Sequence, residues 1–379
     1  MKQSNVAILD FGSSKITCMI ASNLSDGFVI KAVGEARYGG FGEATWYEPE
    51  KLKESIAFAI NQAQSKTGER IKRLFVGVPG EFTAVAISEA SLTFRSKKKI
   101  DGNDVDEIFN KADLYKDITG YLPITRSSIY YFVDENTKLF DPIGIVSNKL
   151  TGVVSFSFMS NYFYKSVDNA LNSIGIDKSE YISNCLAEAL YLIEPQIRDR
   201  TAILFDIGFI TSNVMLVGGE GLMFLKSFSL GSGHISADLS EVLSIAYPIA
   251  EQLLSKINLN LEFQEADLYM LKDGITVSAE KANLVAKARI EEIAECIKAC
   301  FADYEYEISA ETPIYLTGGG LTYIKGGAEY LSQCLNKRVK IIPLNNPQTN
   351  KQDYVSTYGL LDIALRQQPK KESKFRFFK

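Results

Sequence analysis

The chain is 379 residues long, 46% hydrophobic and 23% charged, with a formal net charge of −5, which gives length for two or more domains and ample apolar material for their cores. Its mildly acidic balance offers no dominant basic face to a nucleic acid, and Lys97-Lys98-Lys99 reads as a solvated loop. A single histidine, His234, excludes His-based triads and multi-His metal sites, and no run of about 18 apolar residues is present to span a bilayer.

In chain order, the apolar run after Lys2 is broken by Asp10 and Lys15, which speaks against a signal peptide. Ala7 to Ala21, AILDFGSSKITCMIA, reads as a β-hairpin, and Phe28 to Val33 as a third strand. A Gly-rich piece, Gly39 to Gly42, leads to a helix from Glu48 or Pro49 with Leu52, Ile56, Ile60 and Ala63 on one face. Leu74 to Val78 is a short buried strand. Phe82 to Phe94 alternates like a strand, Ile100-Asp101 with Asp104 opens a helix running to Ala112, and Ser128 to Val133 and Leu150 to Met159 add strands. With a helix from Tyr162 to Ile174 these read as a small α+β insertion. Leu186 to Ile193 is a predicted helix.

The opening pattern then returns in Ala202 to Val217, AILFDIGFITSNVMLV, again followed by a strand, Gly221 to Leu230. Helices are predicted for Ser236 to Ile245, Ile249 to Ile257 and Ala282 to Phe301, the last with Ile290, Ile293 and Ile297 on one face. Glu311 to Leu321 reads as a strand ending in Thr317-Gly318-Gly319-Gly320, and Val355 to Leu365 as a closing helix. Five cysteines (Cys18, Cys185, Cys296, Cys300, Cys334), scattered through apolar runs with no histidine near Cys296 and Cys300, predict reduced buried thiols of a cytosolic protein rather than a zinc site. The last eleven residues, PKKESKFRFFK, are basic and aromatic.

The repeated turn carries the chemistry. Asp10 and Asp206 each end a strand, and two carboxylates facing across a cleft repel unless a cation lies between them, for which Mg²⁺ with its water shell fits. Gly12 and Gly208 let the backbone turn sharply so that N–H groups can cradle phosphate oxygens. Ser13, Ser14 and Thr211 add hydroxyls and Lys15 a point charge suited to a β- or γ-phosphate. Either copy alone is equally an ordinary hairpin with a glycine turn; two copies imply two half-sites. The three glycines from Gly318 to Gly320 expose backbone to a flat ring or sugar, or else make a plain strand-to-helix turn.

These two Asp-x-Gly turns, the late TGGG turn and the closing YGLLDIA helix resemble the phosphate-1, phosphate-2, adenosine and final-helix signatures of the actin/Hsp70/sugar-kinase ATPases. Within that superfamily DFGSSK (Asp10 to Lys15), DPIGIVSNKLTG (Asp141 to Gly152), GSGHISADLS (Gly231 to Ser240) and the basic aromatic C-terminus are most similar to the FtsA family of bacterial cell division. The resemblance covers nearly the whole chain. It implies an α/β actin-like ATPase fold, two duplicated lobes around a nucleotide cleft with a small α+β insertion. Residues 1–78 with a closing helix at 355–368 would form the first lobe and 79–159 the insertion. Residues 160–230 and 302–354 would form the second lobe, 231–301 a helical capping subdomain and 369–379 a membrane-binding tail.

Residue by residue, the resemblance implies ATP and Mg as cofactors, with Asp10 and Asp206 holding Mg²⁺ through water. Gly12, Ser13, Ser14 and Lys15 would meet phosphates, and Gly208 and Thr211 would close over the γ-phosphate. Gly318, Gly319 and Gly320 would lie against the adenosine, and Glu251 would accept from the ribose. In the tail, Phe375, Arg376, Phe377, Phe378 and Lys379 would enter an anionic membrane surface. Three positions depart from the family. Phe209 and Ile210 stand where glycines usually follow the second turn, and Leu254 where a lysine often meets the purine. Glu188, in NCLAEALYL, is the nearby carboxylate that would position a water, although a helix-surface glutamate is the plainer reading, so binding is expected ahead of hydrolysis. The implied function is a filament-forming adaptor that self-associates and ties the tubulin-like division protein FtsZ to the inner face of the cell membrane, without nucleic acid. A small-molecule kinase of the same fold, which would need a further carboxylate base not found here, and a pilus-assembly ATP-binding protein are the alternatives.

Overall fold

The computed structural model describes residues 5–24, 27–113, 118–134, 137–302, 304, 308–344 and 350–367. Asn5–Phe11 (β1) and Lys15–Leu24 (β2) form a hairpin in register from Asn5↔Ser22 to Phe11↔Ile16, and Gly27–Arg37 (β3) extends it along β2. Strand β1 is covered on both faces, which is why it reads as an unbroken apolar run. After two short strands, Phe41–Gly42 (β4) and Thr45–Trp46 (β5), Pro49 opens helix Pro49–Thr67 (α1), and Gly68 at φ 67 ends it. The helix lies close on the sheet at Gly34, where a Cβ would fall 2.0 Å from the Ala59 carbonyl oxygen. Leu74–Val78 (β6) pairs with β1 in parallel.

Between β6 and the next helix lies a four-stranded antiparallel sheet built from Thr83–Lys99 (β7), Tyr121–Val133 (β8), Thr137–Leu139 (β9) and Val146–Ser160 (β10), in the order β7-β10-β8-β9. Helix Gly102–Ala112 (α2) packs on it through Ile108 and Ala112. The Asp101 side chain accepts from the backbone N–H groups of Asn103 and Asp104, and the Asp104 carboxylate accepts from Asp101 N–H.

Helix Asn161–Ser173 (α3) and strand Ser179–Ser183 (β11) then return to the first lobe. Strand β11 pairs with β6, completing a sheet ordered β11-β6-β1-β2-β3, and α3 shares a core with α1 through Phe163, Val167 and Leu171. This corrects the expected boundary at 160: the segment 161–183 belongs to the first sheet. Phe163 of α3 also closes an aromatic cluster with Phe11, Trp46 and Phe82 of the same core.

Helices Asn184–Leu192 (α4) and Pro195–Arg198 (α5) lead into the second lobe, where Ala202–Ile207 (β12), Ser212–Gly218 (β13) and Gly221–Phe228 (β14) repeat the opening meander. Helices Ser232–Val242 (α6) and Tyr247–Leu254 (α7), the small hairpin Leu268–Met270 (β15) and Thr276–Ser278 (β16), and helix Ala279–Ala302 (α8) follow. Ile290, Ile293 and Ile297 of α8 are all buried on the second core. Ile314–Thr317 (β17), helix Gly327–Leu335 (α9) and Val339–Ile341 (β18) finish a sheet ordered β14-β13-β12-β17-β18. Read from the outer parallel strand, the two sheets have the same plan: two parallel neighbours of the central strand on one side, a meander on the other.

Helix Val355–Arg366 (α10) crosses back to cover the first sheet beside α4. The crossing is close because Gly359 has no side chain; a Cβ there would lie 2.6 Å from the carbonyl of Ala187. Gly359→Val is therefore expected to cost about 1–3 kcal/mol through overpacking, read as a lower urea midpoint, and an unchanged midpoint would show that the two helices can part without loss. The inserted sheet docks on the second lobe: Ser155 Oγ donates to Leu222 O at 2.6 Å and Glu220 N to Ser128 O at 2.9 Å. Arg198, 4% exposed, braces the same turn by donating from Nε to Gly219 O at 2.7 Å. No helix of the described residues is long and apolar enough to cross a membrane.

Candidate functional site

The β1–β2 and β12–β13 turns have one geometry. Gly12 N donates to Lys15 O at 3.0 Å, and Gly208 N to Thr211 O at 3.0 Å, so each strand ends in the same closed turn. The two turns face each other, and Ile210 N donates to Ser13 Oγ at 3.0 Å across the gap. The second turn is held from behind by the first turn of α6: Ser232 N donates to Gly208 O at 3.1 Å and Gly233 N to Phe209 O at 2.7 Å. Gly231 and Gly233 must be glycines for that approach, since Cβ atoms would lie 2.5 Å from Gly208 O and 2.9 Å from Phe209 O. His234 caps this helix, its Nδ1 accepting from Gly231 N at 3.1 Å.

Between the turns lies a cleft of about 670 Å³, in the range of ligand pockets. Gly12, Ser13, Ser14 and Lys15 line it from the first lobe, Asp206, Gly208 and Thr211 from the second. Glu251 borders it on α7 beside Tyr247, and Gly318 and Gly319 border it at the end of β17. Gly318, at φ 87, passes so close to the second turn that a Cβ would fall 2.3 Å from Asp206 Oδ1. Gly320 departs from expectation: it lies under the second turn, donating from N to Ile207 O at 2.7 Å, and does not line the cleft.

Three acids set the electrostatics. Asp10, 4% exposed, accepts at Oδ1 from Asn184 Nδ2 (2.8 Å) and at Oδ2 from Ser356 Oγ (2.7 Å) and Thr357 Oγ1 (2.6 Å). Its charge is thus compensated by three donors without a cation. Asp206 has one, Asn213 Nδ2 at 2.9 Å; burial pushes its pKa up to about 6, the Asn213 bond opposing and the Asp10 charge adding to the rise. Glu188 is 2% exposed, not a helix-surface residue as its sequence context suggested. Burial raises its pKa well above the ordinary carboxylate value, and the charges of Asp206 and Asp10 raise it further. Glu188 sits at the buried floor of the cleft between α4 and β17, where Thr317 Oγ1, 3.4 Å away, is its donor.

Lys15 lines the cleft with its ammonium already paired, 2.9 Å from Glu35 Oε1, 3.2 Å from Asp353 Oδ2 and 4.0 Å over the Tyr354 ring. Burial works against its charge, but Glu35 and Asp353 more than offset this and hold its pKa above the usual lysine value. Sequence reading passed over Asn184, whose amide orients Asp10 and whose Oδ1 has no partner among the described residues. Its signal was local but hidden: Ser183 caps α4 directly after β11, and β11 itself was not foreseen. The tail residues Phe375 to Lys379 lie outside the described residues.

This arrangement, two duplicated lobes with paired Asp-Gly turns around one cleft, is the actin-like ATPase fold. No family model matches the chain. Among solved structures it is similar to the PilM–PilN type IV pilus biogenesis complex (14% identity, TM-score 0.60, 96% of this chain and 99% of that one) and to MreB5 of Spiroplasma citri bound to AMPPNP (10%, 0.59, 96% of each). By sequence it is similar to the cell division protein FtsA of Streptococcus pneumoniae (23% identity over 373 residues, 94% of this chain and 79% of that protein) and of Bacillus subtilis (20% over 369 residues, 94% and 83%).

Proposed function

We propose that the chain is a nucleotide-binding, filament-forming adaptor of the FtsA kind, which ties a tubulin-like division protein to the inner face of the cell membrane. The observation that carries this reading is the pairing of two closed Asp-Gly turns across a cleft whose far wall is the Gly318-Gly319 turn, in a chain similar to FtsA proteins over 94% of its length. Residue types in the cleft fit Mg·ATP. Asp206 keeps Oδ1 clear of hydrogen bonds among the described residues, and Asp10, which does not itself line the cleft and has three of about four acceptor positions filled, has one left for a metal-bound water. When bound, Mg²⁺ neutralises phosphate charge. Ser13, Ser14 and Thr211 then offer hydroxyls to the phosphate chain, while Gly318 and Gly319 leave backbone open to adenosine.

Turnover is a separate matter. Ile210 stands where a small residue would leave space: its Cδ1 lies 3.3 Å from where a Cβ on Gly40 would be, and its N–H is already given to Ser13. Side chains at Phe209 and Ile210 would leave little room for a water in line with a terminal phosphate, although Glu188 lines the same cleft as a carboxyl of raised pKa. Steady hydrolysis is expected far below the enzyme median of about 10 s⁻¹, and a phosphate-release assay near that rate would support the kinase or ATPase alternative instead. The adaptor reading is tested by sedimentation with anionic liposomes and ATP. An adaptor pellets with the vesicles; a soluble kinase, or a pilus-assembly protein without a membrane tail, stays in the supernatant.

A further inference from the structure

Only two of the described residues lining the cleft are cationic, Lys15 and Arg37, against four acids, Glu188, Asp206, Glu251 and Asp353. The two cations are partners in the β2–β3 register, directly opposite one another at the end of the hairpin, so their side chains leave the same face of the sheet. Like charges in that position repel unless each has an anion. Lys15 has two, Glu35 and Asp353, and Tyr354 OH donates to Glu35 Oε1 at 2.7 Å, fixing the carboxylate. Glu35 is two residues before Arg37 on β3 and could serve either cation, but it is committed to Lys15.

Arg37 is exposed and forms no ion pair among the described residues. It stands at the mouth of the cleft opposite α7: burial and Glu251 raise the Tyr247 pKa, and Arg37 is near enough to oppose that rise. A fixed backbone position and an unspent guanidinium at the cleft mouth describe a place for an anion with several acceptor oxygens, where Arg37 is the one lining cation not already paired with an acid among the described residues.

We propose that Arg37, rather than Lys15, is the cation that the cleft presents to the phosphate chain of a bound nucleotide, with Lys15 held as a strut between Glu35 and Asp353. This rests on the nucleotide-binding reading above. A guanidinium binds two phosphate oxygens in parallel where an ammonium binds as a point charge, so replacement by lysine restores only part of the contact.

The test is a set of displacement titrations of a fluorescent nucleotide by ATP, ADP and adenosine, on the full chain and on Arg37→Gln, Arg37→Lys and Lys15→Gln. Arg37→Gln is expected to lose about tenfold to hundredfold in affinity for ATP and ADP, the range of a charged hydrogen bond, with adenosine affinity held within about threefold. Arg37→Lys should fall between, and Lys15→Gln should lose less than Arg37→Gln. Arg37 is exposed, so its replacement leaves the core intact, and unchanged thermal melting of the variants checks that directly. If the wild type binds ATP and ADP and Arg37→Gln binds both as tightly, the proposal fails alone. If Arg37→Gln loses adenosine as much as ATP, Arg37 acts on the nucleoside or on lobe position and the phosphate assignment fails. A wild type that binds no nucleotide overturns the reading on which the proposal rests, and the proposal with it.

Discussion

Asp206→Asn should raise the melting temperature of the nucleotide-free protein at neutral pH by a few degrees and, in the same protein, weaken Mg·ATP binding about tenfold to hundredfold. The two effects have one cause. Burial, with the Asp10 charge adding, lifts the Asp206 pKa from 3.8 to about 6. Between about pH 4 and 6 the folded state therefore holds more protons at this site than the unfolded chain, so the contribution to stability falls as pH rises through that window. Above it the cost of keeping the charge is fully present. At about 1.4 kcal/mol per pKa unit the shift of roughly two units is an upper bound, and partial exposure of the group reduces it to about 1–2 kcal/mol. Removing the charge relieves that cost, while the amide can still accept from Asn213. Binding suffers because the repulsion an empty cleft must tolerate is what a hydrated cation would relieve, a case of stability traded for a ligand site. A melt against pH checks both parts: the gain of the variant should vanish below about pH 4. A variant no more stable than wild type at neutral pH would mean that Asp206 is ionised without strain.

Replacing Phe375, Phe377 and Phe378 together by serine should abolish co-sedimentation with anionic liposomes and leave nucleotide binding intact. These residues lie outside the described part of the chain, so the expectation rests on composition: Lys370, Lys371, Lys374, Arg376 and Lys379 stand against a single acid, Glu372. On a helix the three rings would fall within about half the circumference, one side entering the headgroup boundary and the other meeting anionic lipid. At about 1 kcal/mol per basic residue near an anionic surface, one tail binds marginally, and a filament presenting many tails binds firmly through effective concentration. Polymerisation would then serve membrane binding without hydrolysis. A triple variant that still pellets with the vesicles would remove the membrane half of the adaptor reading.

The hairpins at Ala7 to Ala21 and Ala202 to Val217 were legible because both carry long apolar runs ended by Asp-x-Gly, and an apolar run closed by a turn signal needs no tertiary knowledge. Ser179–Ser183 and Val339–Ile341 were not, since outer parallel strands of five and three residues have too little apolar length to be distinguished from loop. Missing the first of them moved the lobe boundary and hid Asn184. For Lys15 the residue type was informative and the partner was not: Asp353 is far away in sequence, and only the packing of α10 against the first sheet brings it within 3.2 Å. Glu188 failed for the opposite reason, because an acid in NCLAEALYL looks solvated until α10 and β17 close over it. The Ser13–Ile210 bond lies between two lobes, where no local pattern reaches.

The most direct measurement is an equilibrium titration of the wild-type protein with a fluorescent ATP analogue in the presence of Mg²⁺, displaced by unlabelled ATP. Saturation at one nucleotide per chain, lost on chelation of the metal and weakened by Asp206→Asn, is the expected result. Absence of saturable binding up to millimolar nucleotide would contradict it, leaving the paired Asp-Gly turns as architecture without a ligand.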